Sequence, residues 1–170
     1  MYKVELEFEH ENHKCVVIFT DMGHYCGYVA VEQKSPLYGI KYNEDLKKPE
    51  LLKELNQTTI GKRGVLPVFC WDGKETTPEI LFNVHGGITF SRKNNDYPIK
   101  NNNLWWFGFD CAHAGDKKDL TKLKKYFPKE HEKIINSLYF FTSGKVRTKN
   151  YVEKECRNLA EQIACVESTY

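Results

Sequence analysis

Hydrophobic and polar residues alternate at the start of the chain: Tyr2, Val4, Leu6 and Phe8 interleave with Lys3, Glu5 and Glu7. That period of two belongs to a strand with one wet face. The polar turn EHENHK follows, and CVVIF at 15–19 then reads as the antiparallel partner, completing an N-terminal hairpin. CGYVAV at 26–31 is a third strand candidate, running into the turn-rich SPLYG at 35–39, which is expected to be an ordered loop.

The period then changes. KPELLKELNQ carries Pro49 at a first helical position, sets Leu51, Leu52 and Leu55 on one face and ends near Asn56, so it predicts a short amphipathic helix. GKRGVLPVFCWDGKETTP returns to loop and strand, with Asp72-Gly73 marking a tight turn. PEILFNVHGGITFS predicts a longer strand, interrupted by Gly86 and Gly87 where a bulge or a close backbone approach is expected. SRKNNDYPIKNNN is a polar excursion containing Pro98, and LWWFGFD is the strand that returns from it.

After Asp116 the pattern turns helical in two pieces, LTKLKKYF and KEHEKIINSL, separated by Pro128. Val152, Cys156, Leu159, Ile163 and Val166 recur at helical spacing and predict an amphipathic C-terminal helix packed on the sheet. The fold class expected from these elements is α+β: a mainly antiparallel sheet with helices packed on one face. At 170 residues the chain suits one globular domain, 1–170, with one sizeable core.

Composition narrows the function. Basic and acidic residues number 25 and 23 with no long block of either sign, which argues against a dedicated nucleic-acid binder. No apolar run approaches the roughly 20 residues that span a bilayer, and MYKVELEFEH lacks the regions of a signal peptide. A soluble protein of the cytoplasm is expected. Cys15, Cys26, Cys70, Cys111, Cys156 and Cys165 are scattered singly, without a CxxC pair, so they read as reduced core thiols rather than a structural zinc site, with Cys111 a candidate exception. The N-terminal hairpin leaves a strand edge through which a homo-oligomer would form.

Candidate chemistry concentrates in VHGGITFS at 84–91 and LWWFGFDCAHAGD at 104–116. His85 precedes two glycines whose backbone amides, beside the hydroxyls of Thr89 and Ser91, suit phosphate or ribose oxygens. This is neither a Walker A loop nor a dinucleotide fingerprint, and a glycine bulge beside a core histidine is the plain structural alternative. In FDCAHAGD an extended chain would put Cys111 and His113 on one face, whereas a turn would bring Asp110 and His113 together. Three chemistries are open. The first is a divalent metal held by His85, Asp110, His113 and Asp116. The second is a hydrolase with His113 as base for water or for Cys111, beside Asp110. The third is non-catalytic, with carboxylates on ribose or base donors and imidazoles on phosphates.

Each candidate has a structural counterpart. Asp116 is expected to cap the following helix, and His113 can hydrogen-bond within the core. Trp105, Trp106, Phe107 and Phe109 alternate across a strand, so they either fill the core or offer a ring for base stacking. Tyr28, Tyr38 and Tyr42 flank the SPLYG loop, and Arg92 and Arg147 are candidate phosphate clamps. The full candidate ligand-binding set is His85, Gly86, Gly87, Thr89, Trp105, Trp106, Asp110, His113 and Asp116.

The combination of CGYVAV, PLYG, VHGGITFS, WWFGFDCAHAGD and YVEKECRNLAEQI resembles a family of small proteins encoded by bacteriophages and prophages, over about Gly23 to Ile163. Relatives often carry His before the Pro-Leu-Tyr-Gly turn, where this chain has Ser35. The resemblance implies a setting in the cytoplasm of a bacterial host and a counter-defence role. One such role is capture of a nucleotide immune signal, a cyclic nucleotide or an ADP-ribose derivative, by a sponge; the alternative is its cleavage by a phosphodiesterase or related hydrolase, with or without a metal.

Overall fold

The computed structural model describes residues 1–47, 76–93, 95–100, 103–136 and 144–170. The helix expected in KPELLKELNQ, the turn at Asp72-Gly73 and Cys70 lie outside the described residues.

The N-terminal alternation forms strands β1 (Tyr2–His10) and β2 (His13–Thr20), joined by a two-residue turn in which Glu11 and Asn12 both take positive φ. That is the geometry whose twist suits a two-residue hairpin. Strand β3 (Tyr25–Val31) pairs with β2, strand β5 (Trp105–Asp110) with β3, and strand β4 (Phe90–Lys93) with β5, all antiparallel. The sheet order is β1-β2-β3-β5-β4. Helix α1 (Pro78–Leu81) precedes β4 in the chain. After β5 come the two-residue strand β6 (Asp116–Lys117), helices α2 (Leu120–Tyr126) and α3 (Pro128–Asn136), strand β7 (Lys145–Val146) and helix α4 (Lys149–Glu167). Strands β6 and β7 pair in parallel as a small second sheet. The architecture is α+β, as its patterning implies.

One face of the large sheet carries α4. Val152, Cys156, Leu159, Ala160, Ile163 and Val166 are all buried against Val17, Val29, Phe107 and Phe109. Fully burying one such side chain contributes roughly 1.5–3 kcal/mol, so this helix-on-sheet layer is the main source of stability. The opposite face buries Val16, Ile18, Tyr28, Ala30 and Trp106 beneath Phe90, Tyr97, Ile99 and Leu104. The polar excursion therefore serves as the second cover of the sheet. Its Tyr97 hydroxyl shares a hydrogen bond with that of Tyr28.

Two strand glycines make room for rings across the ladder. Gly27 lies opposite Phe109 and Gly108 opposite Tyr28. A Cβ at Gly27 would stand 2.4 Å from the Phe109 ring, and one at Gly108 would stand 2.6 Å from Tyr28. The glycines let each aromatic lie flat along the backbone of its neighbour.

The longer strand expected over PEILFNVHGGITFS is corrected: only Phe90–Lys93 is strand. Pro78 instead starts the short helix α1. The backbone that follows is held by α4: Asn83 N–H donates to Gln162 Oε1, and the Asn83 carbonyl accepts from Asn158 and Gln162. Ladder bonds are replaced by helix side chains, so the apolar residues Phe82 and Val84 are buried without being in a sheet. No described helix is long and apolar enough to cross a membrane.

Candidate functional site

The segment 82–89 and the loop 111–116 meet at the start of α4, and their polar residues sort into a locked layer and an open one. The locked layer centres on Asp116. Its side chain is only 2% exposed. Oδ2 accepts from His85 Nε2 at 2.7 Å and from the His113 backbone N–H at 3.1 Å, while Oδ1 accepts from Arg147 Nε at 2.7 Å. The other ring nitrogen of His85 meets the Tyr151 hydroxyl at 3.0 Å, and the His85 backbone N–H donates to Glu155. The Arg147 guanidinium lies 4.9 Å from the centre of the Tyr151 ring, a cation–π contact.

Electrostatics in this layer are decided by the donors. Burial pushes the Asp116 carboxyl up, but the hydrogen bonds from Arg147, His85 and the His113 amide outweigh it and hold the pKa below the ordinary carboxylate value. The hydrogen bond to Asp116 in turn raises Arg147. Asp116 is an ionised anchor tying together β6, the glycine turn and the start of α4.

The expected capping role of Asp116 is therefore corrected. The cap of α2 is Asp119, whose side chain accepts from the Lys122 backbone N–H at 2.9 Å. Asp116 lies a further turn upstream, where its own strand pairing aims it inward.

The open layer begins at Asp110. Its Oδ2 accepts from the Thr89 hydroxyl at 3.1 Å, and its Oδ1 accepts from the Ala112 backbone N–H at 3.1 Å. That second bond makes a turn immediately after β5. Of the two arrangements open to FDCAHAGD, the structure adopts the turn: His113 Nε2 comes to 3.6 Å from Asp110 Oδ1, close enough for electrostatic attraction but too far for a hydrogen bond. Cys111 points the other way, into the core, at 3% exposure. Burial pushes its thiol far up, so a thiolate nucleophile is disfavoured there.

Gly86 explains part of the sequence signature. Its φ is +69°, and a Cβ there would stand 1.9 Å from His113 Nε2. The missing side chain makes room for the His113 imidazole, which packs over the turn with its ring centre 5.8 Å from that of His85. Gly87, at φ +86°, donates its N–H to the Val84 carbonyl. The Ser91 hydroxyl accepts from the Tyr42 backbone N–H, so it too is committed within the fold.

Beside His113 lies a cavity of about 580 Å³ lined by His24, Cys111, His113, Asp116, Lys117 and Lys118 among others. A second depression of about 410 Å³, lined by Thr89, Asp110, Tyr28 and Phe90, shares His24 and Ala112 with it. These volumes fall within the ~300–1,000 Å³ of small-molecule sites. Among the described residues, His24 Nδ1 and His113 Nε2 are buried without a hydrogen-bond partner. Burial lowers the His24 pKa, with the Asp110 charge pulling the other way. Lys118 is lowered by burial too, and its ammonium donates to the Met22 carbonyl at 2.7 Å.

Other candidates fall elsewhere. Trp106 is fully buried in the second face of the sheet, and Trp105 packs against Tyr38. Neither lines the cavity or the depression beside it, whose rings are Tyr28, Phe90 and Phe109. The Tyr38 hydroxyl donates to the Asn103 carbonyl, and Arg92 is exposed on β4. Among the described residues, no group of three or more His, Cys, Asp or Glu is arranged to hold a metal ion. The set His85, Asp110, His113 and Asp116 is divided because His85 and Asp116 bind each other. His24, Lys117, Tyr151 and Glu155 were not singled out by sequence; a lone histidine before CGYVAV and a tyrosine in a helical repeat carry no signal there.

Compared with known proteins, the chain matches no family model, no curated protein and no solved structure.

Proposed function

We propose that this chain is a phage-encoded sponge: it binds a nucleotide-derived immune signal, of cyclic-nucleotide or ADP-ribose type, and withholds it from the bacterial defence that it activates. The observation that carries this reading is the cavity beside His113, lined by two histidines and two lysines, whose one carboxylate is already committed within the fold. Asp116 is filled by Arg147, His85 and an amide, and Asp110, in the adjoining depression, accepts from Thr89 and Ala112. His24, His113 and Lys117 also line the cavity, and Lys117 has no ion pair among the described residues. Such a wall favours an anionic ligand rich in acceptor oxygens, while Tyr28 and Phe90 offer apolar surface beside it.

Sequestration requires affinity without turnover. The buried Cys111 thiol is a poor nucleophile, and His85 has both ring nitrogens engaged. Hydrolysis, the competing reading, would fall to His113 beside Asp110.

The test is to incubate the protein, with and without a divalent metal, with cyclic dinucleotides and ADP-ribose derivatives, and to follow free ligand by chromatography before and after heating. A ligand that is depleted and returns intact supports the sponge. A ligand that returns as product, at substoichiometric protein, transfers the reading to a phosphodiesterase or hydrolase. A panel left undepleted overturns the nucleotide reading and directs the search to a host protein partner.

A further inference from the structure

A second pocket opens at the corner between β7 and α4. It has a volume of about 300 Å³, and its walls include Lys145, Arg147, Asn150, Tyr151 and Lys154. Three cations thus converge on one small concavity, and no carboxylate among the described residues lines it. Lys14, Lys34, Lys122 and Lys133 each pair with a glutamate. Lys145 and Lys154 have no ion pair among the described residues. Arg147 is neutralised in part by Asp116 behind it, so the charge left facing the pocket is that of the two lysines, which an anion would offset.

Arg147 gives the pocket its geometry. Its Nε is held by the buried Asp116, and its guanidinium carbon lies 4.9 Å from the centre of the Tyr151 ring. The side chain is therefore fixed before any ligand arrives. Among the described residues its Nη pair makes no hydrogen bond, leaving a planar fork of donors suited to two oxygens of one oxyanion. The N-terminus of α4 itself is not needed, because Thr148 already caps it by accepting from the Tyr151 N–H.

We infer that the Lys145–Arg147–Lys154 pocket is a binding site for the phosphoryl group of a small ligand, separate from the cavity beside His113. Arg147 supplies the oriented contact, and the two lysines supply charge from either side. The Asn150 amide adds a neutral donor. The inference does not depend on the nucleotide reading, since the two sites use different side chains.

The experiment is a titration of the full-length, isotope-labelled protein with inorganic phosphate, followed by backbone amide chemical shifts, with chloride at matched ionic strength as the control. Saturable shifts at residues 145–154 are expected with phosphate and absent with chloride. Lys145→Ala and Lys154→Ala should each weaken the site by about tenfold. Lys154→Arg should keep it. Because both lysines are exposed, the unfolding midpoint of the variants should stay at the wild-type value, so a lost signal cannot be assigned to misfolding. Shifts that saturate only at residues 111–118, equal responses to phosphate and chloride, or unchanged affinity in the two alanine variants would overturn the inference.

Discussion

Asp110 and Asp116 belong to the same short segment, yet their surroundings differ in kind. Asp116 is 2% exposed and holds His85, Arg147 and a backbone amide, whereas Asp110 is 30% exposed and holds one hydroxyl and one amide at the rim of a cavity. The first is a structural tie between three parts of the chain that are remote in sequence. The second, with His113, Thr89 and His24, lines space that a ligand can enter. Similar residue types in one motif thus divide between building the site and presenting it, and the division follows burial and the number of donors each carboxylate has accepted.

The largest effect should come from breaking the tie. Asp116→Ala leaves the Arg147 guanidinium and the His85 ring without their carboxylate, and removal of one partner of a buried pair costs on the order of 3 kcal/mol or more. Urea unfolding should show a midpoint shift of that size, and a shift within experimental error would place Asp116 with the open layer. Gly86→Ala should cost about 2 kcal/mol, from a positive φ that an L side chain resists and from collision with His113. The same midpoint measurement checks it, and the His113 ring resonances should move.

Acid should separate the layers by pH. Asp116 has its folded pKa lowered, so its contribution is present above the unfolded carboxylate value and is lost as pH falls below about 4. His24 is also lowered, which for a base means that the unfolded chain takes up its proton first; stability then begins to fall as pH drops below about 6.5. His24→Gln should remove that upper step while leaving the lower one. Stability measured across pH 3–8 for both proteins decides it, and an unchanged upper step would show that His24 is not its source.

Where side chains repeat with a fixed period, the fold was readable in advance. Val152 to Val166 announce α4 because their period matches one buried face. Tyr2, Val4, Leu6 and Phe8 announce β1, but a bulge between Val4 and Leu6 sets Val4 opposite Ile18 and Leu6 opposite Val17, on different faces of the sheet, and Tyr2 and Val4 stay exposed. The stretch 78–89 misled because its apolar residues are buried through contacts with α4 rather than through a ladder, and no local pattern encodes which partner takes a backbone amide. The site was half legible. His85, Asp110, His113 and Asp116 stand out as polar groups in apolar surroundings, and the turn joining Asp110 to His113 was one of two stated arrangements. What sequence could not supply was the long-range pairing of Asp116 with Arg147, or of His85 with Tyr151 some 66 positions away. Asp119, directly before the helix that LTKLKKYF predicts, is the cap, while Asp116 lies in β6 and is paired with His85 and Arg147.

The smallest change in stability should accompany the largest change in binding. His113→Ala removes a ring at the cavity wall that makes no side-chain hydrogen bond among the described residues, so the unfolding midpoint should move by less than about 1 kcal/mol. Affinity for whichever nucleotide the wild-type protein depletes should nevertheless fall by about tenfold or more. Tyr151→Phe, which removes a hydroxyl from the locked layer, supplies the opposite case. The decisive measurement is the affinity of these two variants for that nucleotide, side by side with the wild type. The account expects His113→Ala to lose binding while Tyr151→Phe retains it; binding kept by the first and lost by the second would contradict it.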